Sequence, residues 1–221
     1  IAITAGMGSA IGGILRLPFG GAIFSLELLY RRDFIVKSLF PVFLASITSY
    51  IISGIILNWP SFLYVPQEFI AKTSLQSLAA YGVIAAIIGI IGIGYVRTVH
   101  FFQKHFETIK IPLYFKPALG GLIIGIFAIG FPEILGTGYG WLQLGTVGNY
   151  QIFPLWIMFP VILMKIFATS VSNASKNGTG LLGPTLVIGG LMGSALITLF
   201  HSFGLFMYID TTSATLVSIF A

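Results

Sequence analysis

Cysteine is missing from all 221 residues, so the chain has no disulfide framework and no thiolate metal site. Charge is scarce as well: 8% of residues are charged, against roughly a quarter in an ordinary soluble domain. That leaves too little charge to coat a water-soluble surface. Acids are the scarcer sign, with six Asp and Glu against eleven Lys and Arg and a net charge of +5. In a soluble protein this excess would raise nucleic acid as a partner. Here the cations sit at the ends of apolar runs, where the positive-inside rule accounts for them, and no nucleic-acid partner is expected. The three histidines, His100, His105 and His201, have no HExxH spacing, and there is no GxSxG elbow. No metal, cofactor or catalytic residue is therefore expected.

What is present is apolar length. With 57% hydrophobic residues and a mean hydropathy of +1.01, the composition fits an all-α, polytopic membrane protein in contact with the lipid bilayer. The 27 glycines suit close packing of membrane helices. The chain opens inside one apolar run at Ile1 and stops inside another at Ala221, and we expect residues 1–221 to be one partial transmembrane domain, truncated at both ends.

In chain order, 1–16 reads as a small-residue helix with Gly8 and Gly12 in GxxxG spacing. Pro18 and the pair Gly20 and Gly21 are expected to break it. A short helix AIFSLELLY then leads to the charged turn Arg31, Arg32 and Asp33, and 34–57 is long enough to span. Residues 58–74 read as an interfacial loop anchored by Trp59 and Tyr64. After a span at 75–96, residues 97–116 read as a basic loop holding Arg97, Lys104, Lys110 and Lys116 against Glu107. Two spans separate this loop from 31–37, so both are placed on one side, the cytoplasm. Then follow a short glycine-rich helix at 117–131, a broken stretch FPEILGTGYGWLQ, a span at 151–171, a helix at 184–203 and a last one near Thr211. Tilted, short and broken helices of this kind suit transporters and channels.

The most informative stretch is 177–193, NGTGLLGPTLVIGGLMG. A glycine-rich turn opening a helix presents unpaired N–H groups at the positive end of the helix dipole, a ready site for an anion. Gly178, Gly180 and Gly183 also spell GxGxxG, but no strand precedes them and no βαβ unit surrounds them, so the dinucleotide reading fails. Glycines serving only packing explain Gly189 and Gly193, and explain less well the polar backbone at 180–184. Glu27 is an acid in an apolar helix, which either faces a cavity or pairs with Arg31 or Arg32. Lys165 lies deep in a span, and we read it as snorkelling or in a structural pair ahead of a role in attracting anions.

Three stretches in order, GGILRLPFGGAIFSLELLYRRDF, FPEILGTGYGWLQ and GLLGPTLVIGGLMGSAL, resemble the CLC chloride channels and chloride/proton exchangers, and the resemblance runs along essentially the whole chain. The last looks like the family's Gly-x-Phe-x-Pro motif, with Lys165 fifteen residues before Gly180 as a similarly placed basic residue. The resemblance implies that chloride, or another small anion, is the transported ion. It binds at Gly180, Leu181, Leu182, Gly183 and Pro184 through the amides of Leu181 and Leu182, and Glu27 is an internal acid near the pathway. It also implies a homodimer, with the helices at 20–30 and 34–54 in the contact. Two departures stand out: Leu182 replaces the motif's Phe, and Leu28 stands where exchangers carry a second acid. The expectation is a passive, voltage-gated chloride channel, with a chloride/proton antiporter as the alternative. From other classes, an intramembrane enzyme using Glu27 or a serine, or a purely structural membrane subunit, is the competing reading.

Overall fold

A computed structural model describes residues 1–29, 36–59, 63–65, 74–148, 154–219 and 221. Among the described residues there are nine α-helices and no strand. Five stretches are long and apolar enough to cross a membrane: Val36–Ile56, Leu75–Thr108, Leu113–Gly130, Leu155–Ala174 and Leu182–Ser202. The chain is thus an all-α, polytopic membrane protein. It divides into two compact units, Ile1–Tyr64 and Val65–Ala221.

The first unit contains α1 (Ala2–Ile14), α2 (Pro18–Leu29) and α3 (Val36–Ile56), each packed on the other two. Small residues set how close they come. A Cβ at Gly8 would lie 2.8 Å from Val42 Cγ1, one at Gly21 would lie 2.7 Å from the Gly12 nitrogen, and one at Gly12 would overlap Ser46 Oγ. Ser46 is buried and donates to the Pro18 carbonyl at 2.7 Å, so the contact that excludes a side chain at Gly12 also ties α3 to the start of α2. The expected break differs in place. The chain leaves the helix at 15–17, where Arg16 has φ +62°, and Pro18 opens α2 instead of ending α1. Proline suits the first turn of a helix because its missing N–H has no acceptor there. Gly20 and Gly21 lie inside α2, and at Gly21 a backbone contact with α1 requires the missing side chain. The expected turn at 31–33 and much of the expected interfacial loop, 60–62 and 66–73, lie outside the described residues. Trp59 is described, stacked edge-on to Tyr50 at 5.1 Å with the Arg16 guanidinium 5.7 Å from its ring centre.

The second unit begins with α4 (Leu75–Thr108), 34 residues opened by Ser74, whose hydroxyl accepts from the Ser77 N–H at 3.1 Å. At 1.5 Å per residue this helix is about 50 Å long, well beyond a ~30 Å hydrocarbon core. The basic segment expected as a loop from Arg97 is therefore helical as far as Thr108, with His100 and His105 on the same helix. Nothing at 97–108 breaks a helix, and Lys, Gln, Glu and Arg all favour one, so polarity alone misplaced the boundary. The helix stops ahead of Pro112. A 3-10 turn, Leu113–Phe115, then leads into α5 (Lys116–Gly130). Lys116 is buried and donates to the Phe106 carbonyl in the last turn of α4.

A second 3-10 turn, Pro132–Ile134, precedes α6 (Tyr139–Val147), only nine residues long. After it come α7 (Leu155–Ala174), α8 (Leu182–Ser202) and α9 (Thr211–Ile219). α8 is the centre of this unit, packed against α4, α6, α7 and α9. Of its apolar window 61% is buried within the protein, against 6% for the window of α5. Here too glycine faces hydroxyls: a Cβ at Gly193 would overlap Ser218 Oγ, and one at Gly189 would lie 2.6 Å from the Ser218 carbonyl oxygen. The short α6 ends on Gly148 in the left-handed region. Its last carbonyls take donors from its neighbours, Gly145 from Ser194 Oγ at 3.0 Å and Thr146 from Thr212 Oγ1 at 2.8 Å.

Two outcomes follow for the full-length protein in detergent. Gly12→Val forces a branched side chain onto Ser46 and is expected to cost about 1–3 kcal/mol, the usual penalty of overpacking, read as a lower midpoint of thermal unfolding. Thr212→Val keeps the shape but leaves the Thr146 carbonyl without that donor, an expected loss of about 1–3 kcal/mol; an unchanged midpoint would show that the bond does not hold α6.

Candidate functional site

The 175–185 segment is a turn: the amides of Ser175, Lys176 and Asn177 bond back to the last turn of α7, and that of Thr185 opens α8. α7 ends at Ala174, and Lys176 and Gly178, with φ of +61° and +67°, swing the chain around. Ser172 Oγ and Thr179 Oγ1, 2.7 Å apart, pin the turn to the last turn of α7. Asn173 is engaged elsewhere, accepting from Gln103 Nε2 at 2.6 Å, and so ties α7 to α4.

α8 then opens at Leu182 with Leu181 as N-cap, and no side chain caps it. The first helical bond is the Thr185 N–H donating to the Leu181 carbonyl at 3.0 Å, and the Thr185 hydroxyl donates to the same oxygen. Leu182 and Gly183 therefore stand ahead of the first intrahelical donor, Thr185, where helix geometry leaves N–H groups unpaired. Pro184 has no N–H to contribute. The free donors of this helix end thus fall on Leu181, Leu182 and Gly183, at a dipole end worth about half a positive charge. Gly180 is exposed, and 181–184 are half-buried.

One wall beside this turn comes from the stretch before α6. A Cβ at Gly183 would lie 3.1 Å from the Tyr139 hydroxyl oxygen and 4.0 Å from Thr137 Cγ2. Gly136 and Gly138 have φ of +64° and +86°, so the chain reverses twice before α6 in conformations glycine tolerates and other residues resist. A cavity of about 520 Å³ opens here, lined by Leu135, Gly136, Thr137, Gly138, Tyr139, Gly140, Trp141 and Leu144.

Lys165 reaches the same stretch from α7. It is 2% exposed, and its Nζ donates to the carbonyls of Ile134 at 2.9 Å and Gly136 at 2.7 Å. The ammonium does not snorkel to a surface, and both of these bonds go to backbone carbonyls instead of a carboxylate. Chain position alone does not reveal this, since the partners lie about thirty residues away in sequence. Glu27 lies exposed on α2 in the first unit, and Arg31 and Arg32, its alternative partners, are outside the described residues. Among the described residues no group of three His, Asp or Glu comes together as a metal site would need. Tyr139 and Thr137 were the neighbours that residue-by-residue reading missed. Their one signal was the run of glycines in FPEILGTGYG, which marks a broken segment but not its partner.

A family model described as voltage gated chloride channel matches residues 1–221. Among curated relatives, the voltage-gated ClC-type chloride channel ClcB of Escherichia coli is 27% identical over 195 residues, covering 86% of this chain and 44% of its own length. An uncharacterized protein of Methanocaldococcus jannaschii is 25% identical over 195 residues, covering 87% of this chain and 48% of its own. The chain thus spans less than half the length of these relatives. A solved structure described as a CLC-type fluoride/proton antiporter superposes with a TM-score of 0.73 at 20% identity, over 97% of this chain and 51% of that one, and so shares the fold. With ordered motifs, helix pattern and full-length family match in agreement, the chain belongs to the CLC family of voltage-gated chloride channels, integral membrane proteins of anion transport.

Proposed function

We propose that this chain forms part of the wall of a chloride pathway, in which the N–H groups of Leu181, Leu182 and Gly183 donate to the passing anion. The observation that carries this reading is the start of α8: no side-chain cap, a proline in place of one donor, and a half-buried setting. Such a site replaces part of the anion's hydration while offering only a fractional charge, so the ion can also leave. The backbone donors do not depend on side-chain identity. The motif's Phe can therefore be Leu182 while the anion site persists, with anion preference set by the altered wall.

Within the family, the reading is a passive, voltage-gated channel. Its support is the pair Glu27 and Leu28, because exchangers carry a second acid where this chain has Leu28. Both residues are exposed on α2, and the family resemblance alone makes Glu27 an internal acid near the pathway. The alternative, an anion/proton antiporter, is favoured by the described activity of the superposing structure. The 31–37 and 97–116 segments are assigned to the cytoplasm, and the working unit is a homodimer. Transport by backbone donors needs no catalytic residue, cofactor or metal.

The full-length protein in proteoliposomes is expected to release chloride down its gradient. A folded, reconstituted sample that releases none would overturn the anion reading. A proton gradient is expected to leave the chloride reversal potential unmoved; a shift toward the proton equilibrium potential would replace the channel with an exchanger.

A further inference from the structure

The geometry points to Lys165 as a positioning residue for the anion pathway: its ammonium fixes the 134–138 turn at the place from which Tyr139 sets its hydroxyl against Gly183 of α8. The inference rests on the anion reading of 181–183 and adds to it a residue that touches no ion.

The turn has little to hold it from within. Its two glycines are left-handed, and the internal bonds around it end with Leu135 donating to Pro132, then resume with Leu142 donating to Gly138. The Lys165 ammonium takes the carbonyl of Ile134, at the end of the 3-10 turn, and that of Gly136, midway through the reversal. The turn is also wedged. A Cβ at Gly138 would lie 3.2 Å from Lys165 Nζ on one side and 3.2 Å from Val187 Cγ1, in α8, on the other. Tyr139 follows directly, and its hydroxyl oxygen lies 3.1 Å from where a Gly183 Cβ would stand. Loss of the ammonium therefore frees the turn to shift along α8, and the hydroxyl beside the donor amides shifts with it.

A buried ammonium is costly where an aliphatic side chain would fill the same space, so its presence on α7 calls for something only donors can supply. Both recorded partners are carbonyls of one turn, which identifies that task as holding the turn.

The test uses the full-length protein in bilayers and reads the chloride to nitrate permeability ratio. Both ions carry one negative charge, so a purely electrostatic effect of Lys165 would scale both and leave the ratio unchanged. Lys165→Met is expected to change the ratio by about threefold or more, the size a displaced hydrogen bond gives. Lys165→Arg, which keeps donors at similar reach, is expected to restore it, a rescue that simple loss of folded protein would not produce. Tyr139→Phe is expected to move the ratio in the same direction and decides the matter if the methionine variant does not fold. A wild-type ratio in either Lys165→Met or Tyr139→Phe would overturn the inference. Absence of anion flux in the wild-type protein would instead overturn the anion reading beneath it.

Discussion

In an apolar environment, backbone that leaves a helix must find its hydrogen-bond partners within the protein, and this constraint organises the second unit. The 131–148 segment contains one 3-10 turn, three left-handed glycines and a nine-residue helix, and so breaks the regular ladder repeatedly. Each break is met by a side chain from a neighbouring helix. Lys165 of α7 takes the carbonyls of Ile134 and Gly136, Ser194 of α8 takes that of Gly145, and Thr212 of α9 takes that of Thr146. The start of α8 is handled differently. Its excess groups are donors, and no side chain caps them. On the proposed reading, their acceptor is the anion.

The same economy governs packing. Where helices cross most closely, glycine faces serine: Gly12 meets Ser46, Gly193 meets Ser218 and Gly120 meets Ser175. In each case the hydroxyl is buried yet bonded to a carbonyl, Ser46 to Pro18, Ser218 to Ala214 and Ser175 to Ser172. Close approach therefore leaves these polar groups satisfied. Dispersion between tightly packed backbones does for membrane helices what burial from water does for soluble ones.

Much of this was legible in the residues. Glycine, proline and apolar run length located the long helices, the broken segment before α6 and the turn before α8, because each acts locally on the backbone. The same local logic misread two places. Pro18 looked like a breaker but opens α2, since proline is tolerated in a first turn. The charged segment from Arg97 has the polarity of a loop but no residue that breaks a helix, and it continues α4 to Thr108. What remained illegible was long-range. Nothing within reach of Lys165 along α7 indicates the carbonyls of Ile134 and Gly136, and nothing near Gly183 indicates Tyr139.

The two positive features of this region, the ammonium bound to the 134–138 turn and the start of α8, differ in how much charge they leave for an ion. The Lys165 ammonium carries a full charge, but it is buried and directed at two carbonyls. The start of α8 carries about half a charge and keeps its donors unfilled. An ammonium presented directly to chloride would hold it too strongly for rapid release, whereas a helix end binds weakly enough to conduct. On the proposed reading, the division of labour follows from placement: the full charge builds the wall, and the fractional charge meets the ion. The start of α8 suits that part, because 61% of the helix's apolar stretch is buried inside the protein, against 6% for the Leu113–Gly130 stretch.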